Sequence, residues 1–327
     1  MAVQPGARQR GVSAEEAIAD YDQARATVYF DGEFRDYQQC RIGPMTHALH
    51  YGTGCFEGIR GYWSEAQGAV LLFRVPEHYQ RLQQSAHVLR MDLPHTLDQL
   101  TALTVELCRR NRFRSDVYVR PLVYKGGEEV GVRLQGIRDS FLIYAEPFGA
   151  YVDIERGLRC MVSSWRRIED TMAPARAKIT GSYINAALAK SEALERGFDE
   201  AILLTAAGRV AEGSAENLFL VRRGTLITPA VSESILEGIT RATLLQLWTE
   251  DLGLPAVERP VDRSELYVAD EVFLCGTGAQ LSPVVEVDGR RVGTGRVGPF
   301  SARLQQLYFD VVRGAVPKYE EWCTPVR

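Results

Sequence analysis

Lys178 stands in a run of small and apolar residues, Ala173-Pro-Ala-Arg-Ala-Lys178-Ile-Thr-Gly-Ser-Tyr183. A lysine in such surroundings can be partly desolvated, so that its amine is neutral often enough to attack a carbonyl or to accept a proton. Considered by itself, Lys178 would be assigned to a solvated loop before a helix, because nearly all lysines are exposed. A role in chemistry therefore depends on what the rest of the chain offers.

Four kinds of group are needed to hold and use pyridoxal 5′-phosphate in a protein. They are a lysine that forms a Schiff base, a carboxylate at the pyridine nitrogen, a donor for the phenolic oxygen, and main-chain amides with a cation for the phosphate. The chain has a candidate for each, and in that order they are Lys178, Glu212, Tyr183, the segments Gly238-Ile239-Thr240 and Gly276-Thr277-Gly278, and Arg81.

Each candidate also has an explanation that involves no chemistry. Glu212 could be a solvated carboxylate at the end of a strand, and Arg81 could lie on a helix surface. Gly238-Ile239-Thr240 could be an ordinary helix N-terminus, and Gly276-Thr277-Gly278 could be a simple turn. Residue types and spacing thus identify candidates and leave their role open.

Composition excludes several classes of protein. The 327 residues are 46% hydrophobic and 24% charged with a net charge of −4, an ordinary globular composition long enough for two domains. There is no basic run for nucleic acid, no apolar stretch of membrane-spanning length and no signal-peptide core in the first ten residues. Six scattered cysteines without a CxxC pair indicate reduced thiols in a cytoplasmic enzyme. The five histidines form no metal-ligand pattern, so no metal is expected.

Hydrophobic periodicity predicts the elements that must position these residues. Short strands and helices follow one another without strict strand–helix–strand alternation, which indicates an α+β fold. After a disordered segment 1–12, the predicted helices run from Ser13 to about Tyr21, from Pro76, over 96–112, from Tyr183 to Arg196, from Gly238 to about Leu252 and over 300–312. The predicted strands are 27–30 and 33–35 around Asp31-Gly32, 70–73, 117–120, 141–144, 157–163, 201–204, 210–211, 218–221, 226–227, 271–274, 284–287 and 291–292.

Two further segments stand out. Strand alternation over 117–120 places Tyr118 and Arg120 on one face and the two valines on the other. The segment His47 to Arg60 has three glycines among aromatic and charged residues, which indicates either a close approach to a ligand or a glycine-rich turn. Pro147-Phe-Gly149-Ala150 is the predicted join between two domains.

Longer motifs resemble one known family. Glu212-Gly-Ser-Ala-Glu-Asn217-Leu-Phe219, with Leu226-Ile-Thr228 and Leu236-Glu-Gly238-Ile-Thr-Arg241, resembles the signature of class IV aminotransferases. Within that family, the motifs that resemble the branched-chain amino-acid aminotransferases are His47-Ala-Leu-His-Tyr-Gly, Phe56-Glu-Gly-Ile-Arg60, Glu77-His-Tyr-Gln-Arg81-Leu and Tyr118-Val-Arg120. The resemblance covers nearly the whole chain, from about Val28 to Phe309.

This resemblance implies a two-domain α+β fold of the fold type IV, D-amino-acid-aminotransferase-like class. A small N-terminal α/β domain would precede a larger C-terminal domain with a barrel-like sheet core. The implied division is an N-terminal extension over 1–26, a small domain over 27–147, a linker over 148–152 and a large cofactor-binding domain over 153–327. The resemblance also implies a homodimer or a higher homo-oligomer built from dimers.

The resemblance assigns roles to individual residues. Lys178 would form the Schiff base and act as the catalytic residue, Glu212 would face the pyridine nitrogen, and Tyr183 would lie near the phenolic oxygen. The implied phosphate ligands are Arg81, Ile239, Thr240 and Thr277. The amides of Thr277 and Gly278, with Tyr118, would bind the substrate α-carboxylate, and Arg120 would bind the side-chain carboxylate of glutamate. The implied side-chain pocket consists of Phe56, Tyr151 and Tyr183. Two further contacts, Tyr51 and Val132, would come from a second subunit.

The implied activity is transamination of leucine, isoleucine and valine with 2-oxoglutarate. Within the same fold, a D-amino-acid aminotransferase, an (R)-amine transaminase and an aminodeoxychorismate lyase are alternatives, and an idle cofactor-binding protein is an alternative of another class. Tyr118-Val-Arg120 favours the branched-chain hypothesis. Ile179-Thr-Gly-Ser-Tyr183, Ala215 and Gly278 depart from the commonest family pattern and bear on the substrate range.

Overall fold

The computed structural model describes residues 21–149 and 156–327. The segment predicted to be disordered and nearly all of the helix predicted from Ser13 lie outside these ranges, as does Tyr151. Within them, strands form one sheet of eight and one of nine. The strands are β1 Thr27–Phe30, β2 Glu33–Asp36, β3 Gly54–Phe56, β4 Ile59–Ser64, β5 Ala69–Phe73, β6 Val117–Lys125, β7 Asp139–Pro147, β8 Leu158–Arg166, β9 Glu200–Leu204, β10 Val210–Gly213, β11 Asn217–Arg222, β12 Thr225–Thr228, β13 Ala256–Glu258, β14 Glu271–Gly276, β15 Gln280–Val287, β16 Arg290–Arg291 and β17 Cys323–Pro325.

Helices pack against these sheets. In the described part of the chain the α-helices are α1 His47–Tyr51, α2 Val75–Val88, α3 Leu97–Asn111, α4 Tyr183–Glu195, α5 Ile239–Gln246 and α6 Pro299–Val312. Pro76 lies in the first turn of α2, where its missing N–H leaves no hydrogen bond unmade. Thr96 and Gln99 cap the start of α3 reciprocally. No helix in residues 21–149 and 156–327 has the length and apolar character needed to cross a bilayer.

The first sheet has the strand order β17-β5-β4-β6-β7-β1-β2, with β3 also paired to β6. The predicted alternation along β6 is confirmed, because Val117 and Val119 are fully buried while Tyr118 and Arg120 on the opposite face are half-buried. The valine face packs with α2 and α3 in one apolar core. The Tyr118 and Arg120 face remains for contacts other than this core.

The second sheet has the order β10-β9-β8-β15-β14-β11-β12-β13, with β16 paired to β15. The strand β8 runs parallel to β9 and β15, while β14 is antiparallel to both of its neighbours. Apolar side chains such as Leu158, Ile202 and Leu220 form a core along it. The mixture of antiparallel pairs and helices confirms the α+β class.

Two predicted segments differ in detail from the structure. The glycine-rich segment after His47 contains α1, β3 and β4, where the sequence left a turn as the alternative. The helix predicted from Gly238 to about Leu252 is α-helical only to Gln246 and continues as a π-helical turn, Leu247–Asp251. The chain passes from the first sheet to the second between Pro147 and Leu158, and β17 returns to the first. The division into domains stays a prediction.

Candidate active site

A cavity of about 350 Å³ lies where the polar face of β6, the segment before α4 and the second sheet meet. Cavities of this size are typical of sites for small molecules. Most of the predicted site residues line it together, namely Phe56, Arg81, Tyr118, Arg120, Lys178, Tyr183, Glu212, Ile239, Thr240, Thr277 and Gly278. Their convergence from positions 56 to 278 makes this cavity the candidate active site.

Lys178 is fixed by its backbone before its side chain enters the cavity. Its N–H donates to Ser85 Oγ on α2 at 3.0 Å, and its carbonyl accepts the Phe56 N–H at 3.1 Å. Its Nζ donates to the Tyr183 hydroxyl at 2.6 Å and lies 4.9 Å from the centroid of the Phe56 ring. The amine is therefore held among aromatic groups inside the cavity.

Glu212 is a buried carboxylate with partners at both oxygens. Its Oε1 lies 2.7 Å from Arg167 Nε, and its Oε2 accepts hydrogen bonds from Asn217 Nδ2 at 2.9 Å and the Leu236 N–H at 3.1 Å. Burial raises the pKa of the Glu212 carboxyl, while the Arg167 charge and the Leu236 N–H act against that rise. The alternative of a solvated strand-end carboxylate is wrong, because Glu212 is only 5% exposed.

The start of α5 forms another wall of the cavity. Gly238 occupies the N-cap position of α5 and has no side chain that could accept a hydrogen bond. The first N–H groups of the helix are therefore not capped by this residue. A Cβ atom at Gly238 would lie 2.0 Å from Asn217 Oδ1, so a larger residue there would displace the Asn217 side chain from its contacts with Glu212 and Leu236. Arg81 reaches this helix start from α2, and its Nη1 donates to the Glu237 carbonyl at 2.9 Å. Unpaired amides beside a guanidinium are a binding site for an anion.

A second cation faces the cavity from β6. Arg120 Nη2 donates to the Tyr118 hydroxyl at 2.7 Å, and its guanidinium lies 4.4 Å from the centroid of the Phe56 ring. Arg120 Nε and Ser182 Oγ are buried and have no hydrogen-bond partner among the described residues. Buried polar atoms without partners are uncommon in folded proteins, and here both belong to residues that line the cavity.

Two predicted substrate contacts, Tyr51 and Val132, do not line this cavity. Tyr51 accepts a hydrogen bond from the Gly131 N–H at 3.1 Å and is half-exposed, and Val132 is 80% exposed. Tyr151 lies outside the described residues. The neighbourhood of Tyr51 and Val132 in the sequence contributes other large exposed apolar side chains, namely Ile42, Met45, Leu49 and Val130.

The structure also places residues in the cavity wall, or in contact with it, that sequence reasoning left without a role. Arg167 pairs with Glu212, and Asn217 joins Glu212 to the loop before α5 through a 2.9 Å bond to the Leu236 carbonyl. Arg60 donates to the carbonyls of Gly278 and Gly149, at 3.0 and 2.7 Å. Asn217 and Arg60 belong to the motifs that resemble the family, but nothing in the sequence indicates their partners. Arg167 carried no signal beyond its position after a predicted strand.

Glu216 supplies a prediction about pH. Burial, followed by the charge of Glu200, raises the pKa of the Glu216 carboxyl. The folded chain therefore holds this proton more tightly than the unfolded chain, and stability falls as the pH rises from the ordinary carboxyl range through the raised pKa. We expect Glu216→Gln to remove this loss of stability. The difference in melting temperature between Glu216→Gln and wild type should therefore be about 2 °C larger, in favour of the variant, at about pH 8 than at about pH 5.

Calorimetry of wild type and Glu216→Gln at both pH values measures this difference. Glu33→Gln, which removes an exposed carboxylate, serves as the control and should show no such dependence. An equal gain for Glu216→Gln at both pH values would contradict the raised pKa.

Comparison with known proteins identifies a matching family and similar proteins within it. A family model described as "Amino-transferase class IV" matches residues 54–287. A probable branched-chain-amino-acid aminotransferase of Aquifex aeolicus (strain VF5) is 45% identical over 299 residues, which cover 91% of this chain and 96% of that protein. The family match includes strands of both sheets and every residue that lines the cavity.

Solved structures agree with the sequence matches. The crystal structure of the branched-chain aminotransferase from the thermophilic archaeon Thermoproteus uzoniensis with norvaline has a TM-score of 0.89 and 42% identity, covering 92% of this chain and 99% of that one. The crystal structure of the branched-chain amino acid aminotransferase from Thermobaculum terrenum in its PLP-form has a TM-score of 0.90 and 37% identity, covering 94% of this chain and 100% of that one.

Proposed function

The chain belongs to the class IV aminotransferase family, and on that premise we propose that it transfers the amino group of leucine, isoleucine or valine to 2-oxoglutarate. The products are the branched-chain 2-oxo acids and L-glutamate. The observation that carries the proposal is the presence of the Lys178 amine and the Arg120 guanidinium in one aromatic-walled cavity. The expected fold type IV architecture is confirmed by the similarity to the solved structures.

The cavity fits the cofactor of this family, pyridoxal 5′-phosphate. Arg81 and the start of α5 offer a cation and amides for its phosphate, and Glu212 offers a carboxylate for its ring nitrogen. Ile239, Thr240 and Thr277 would complete the phosphate site, with Tyr183 beside the phenolic oxygen. When bound, the cofactor supplies an electron-withdrawing ring that stabilises negative charge at the substrate α-carbon.

Lys178 is the residue that moves the proton. Its Nζ takes the α-proton of the amino acid, acting as a general base inside the cavity. The Tyr183 hydroxyl at 2.6 Å holds the amine in place between the Tyr183 and Phe56 rings. Ser85 and Phe56 fix the backbone of Lys178, so the amine does not depend on loop motion for its position.

The remaining residues bind and orient the substrate. Tyr118 and the amides of Thr277 and Gly278 would receive the α-carboxylate, and Arg60 holds the carbonyl of Gly278. The rings of Phe56 and Tyr183, with centroids 4.8 Å apart, present an apolar wall to a branched side chain. Arg120 Nε, which has no partner among the described residues, would donate to the side-chain carboxylate of glutamate. One pocket can thus take both substrates in turn.

The alternatives within the fold receive less support. The relatives are branched-chain enzymes, so a D-amino-acid aminotransferase is not favoured. The alternative of an idle cofactor-binding protein does not explain a lysine amine held inside the cavity beside a proton-accepting hydroxyl.

We further propose a cytoplasmic homodimer. In this assembly Tyr51 and Val132 would enter the cavity of the partner, which accounts for their absence from the cavity of their own chain and for the exposed apolar side chains around them. Tyr151 would complete the side-chain pocket. The six cysteines are free thiols, which suits a reducing compartment.

Arg120→Leu tests the substrate assignment. The variant removes the cation that would pair with the side-chain carboxylate of glutamate and keeps an apolar wall for leucine. We expect kcat/KM to fall about 100-fold for L-glutamate and by less than about threefold for L-leucine. The half-reaction of each amino acid, followed by the cofactor absorbance, measures both values.

Wild-type chain treated with L-leucine, D-alanine and an (R)-amine provides the reference for that experiment. Reaction with L-leucine but not with the other two is expected. Equal losses for glutamate and leucine in Arg120→Leu, or a preference of the wild type for D-alanine or the amine, would contradict the proposed function.

A further inference from the structure

Glu57 is a carboxylate that is completely buried and belongs to the link between β3 and β4. Its Oε1 accepts a hydrogen bond from Arg81 Nε at 2.7 Å, and its Oε2 accepts one from Arg81 Nη2 at 2.8 Å. This two-point contact fixes the plane of the guanidinium as well as its distance. Removing the two charges of such a buried ion pair from water costs free energy, so a contribution to the stability of the fold is a weak explanation for its presence.

His78 adds a third contact to the same carboxylate. It lies one helical turn before Arg81 on α2, and its Nδ1 donates to Glu57 Oε2 at 2.7 Å. Burial lowers the pKa of His78, so its ring is neutral at neutral pH. Burial alone would raise the pKa of Glu57, but the Arg81 charge and the His78 hydrogen bond outweigh it and hold the pKa below the usual carboxyl range. Glu57 is therefore an anion that accepts three hydrogen bonds from side chains, two from Arg81 and one from His78.

Arg81 has N–H bonds that these contacts do not use. A guanidinium has five N–H bonds. Two point at Glu57 and one at the Glu237 carbonyl. In residues 21–149 and 156–327 Arg81 donates no other hydrogen bond, so one N–H on each terminal nitrogen remains. Arg81 itself lines the cavity beside Gly238 and Ile239.

We propose that Glu57 is a positioning residue that fixes the guanidinium of Arg81 so that its two remaining N–H bonds serve the cofactor phosphate. His78 supports this role by holding Glu57 from the other side. The inference rests on the proposed function, since it takes Arg81 as the phosphate ligand, and it extends that function to a residue that does not touch the phosphate itself.

Simple electrostatics makes the opposite prediction. Removing a buried negative charge raises the positive potential around Arg81, which by Coulomb attraction alone would tighten the binding of a phosphate dianion. Positioning predicts weaker binding, because the amide of Glu57→Gln keeps only one acceptor oxygen. Arg81 then loses one of its three hydrogen bonds and its charged partner, and it can adopt other rotamers. The direction of the change in affinity therefore separates the two effects.

The test compares pyridoxal 5′-phosphate with pyridoxal, which lacks the phosphate. The full chain is freed of cofactor, and the Kd of each compound is measured by absorbance for wild type and Glu57→Gln. We expect the Kd of pyridoxal 5′-phosphate to rise at least about tenfold and that of pyridoxal to change by less than about twofold. Glu77→Gln is the matched control, since Glu77 pairs with Arg74 at 2.7 Å on the same helix without lining the cavity.

A double-mutant cycle shows whether Glu57 acts through Arg81. In an Arg81→Gln background, Glu57→Gln should cause no further loss of affinity for pyridoxal 5′-phosphate. Equal weakening of pyridoxal and pyridoxal 5′-phosphate, tighter phosphate binding, or a full additional loss in the Arg81→Gln background would each overturn the proposal. If Arg81→Gln alone leaves the affinity unchanged, the phosphate assignment in the proposed function fails, and this inference fails with it.

A second variant covers the case in which Glu57→Gln does not fold. His78→Leu leaves the Glu57–Arg81 pair in place and removes the only side-chain donor at position 78, and with it the third contact to the carboxylate. We expect a rise of about threefold in the Kd of pyridoxal 5′-phosphate and none for pyridoxal. An equal change for both compounds, or no change for either, would overturn the role of this network.

Discussion

Lys178→Ala is expected to lower the rate of transamination by at least about 10⁴-fold and to remove the visible absorbance that a cofactor bonded to the lysine produces. The variant deletes both the group that accepts the α-proton and the amine that joins the chain to the cofactor. Neither the Tyr183 hydroxyl nor another lysine can replace it, because no second lysine lines the cavity in the described part of the chain. Steady-state kinetics and the absorbance spectrum of the purified variant measure the two effects.

Lys318→Ala is the control for this result, since Lys318 forms ion pairs with Glu250 and Asp251 at the surface. Its activity and spectrum should match those of the wild type. Retention of activity and of the visible absorbance in Lys178→Ala would contradict the assignment of the catalytic lysine.

Glu212→Gln is expected to have the next largest effect, a decrease of about 100-fold in kcat. Glutamine preserves the shape and the contacts with Asn217 and the Leu236 N–H, but it carries no charge to pair with a protonated ring nitrogen. The substitution also leaves the half-buried Arg167 without its carboxylate partner. Single-turnover reaction with L-leucine isolates the chemical step from cofactor loss.

Glu216→Gln is the matched control, because it makes the same substitution at a buried carboxyl group that also lines the cavity. Its effect on kcat should stay below about threefold. Glu212→Asp, which keeps the charge, should be less impaired than Glu212→Gln. Equal activity of Glu212→Gln and wild type would mean that the carboxylate does not serve the ring nitrogen.

Local patterns predicted much of the fold. The alternation along β6 and the apolar faces of α2 and α3 are visible within short windows of sequence, and the structure confirms them. The segment around Phe56 was harder, because three glycines and two short strands carry no clear periodicity. The pairing of β17 with β5 joins residues far apart in the chain, and no local signal predicts it.

The candidate site also contains residues that the sequence predicted and residues that it did not. Lys178, Tyr183 and Glu212 are candidates by residue type and receive their roles from the family resemblance, and the structure brings them into one cavity. Arg167 and Glu57 matter through partners that come from other parts of the chain, so residue type alone did not reveal them. Tyr51 and Val132 represent a third case, since their predicted roles require a second copy of the chain and remain predictions.

The most direct test of the whole account is to identify the atom that carries the cofactor. Holoenzyme reduced with borohydride and then digested should yield one peptide with a reduced cofactor label, located by mass spectrometry on the side chain of Lys178. A label on any other residue, or no label at all, would contradict the account.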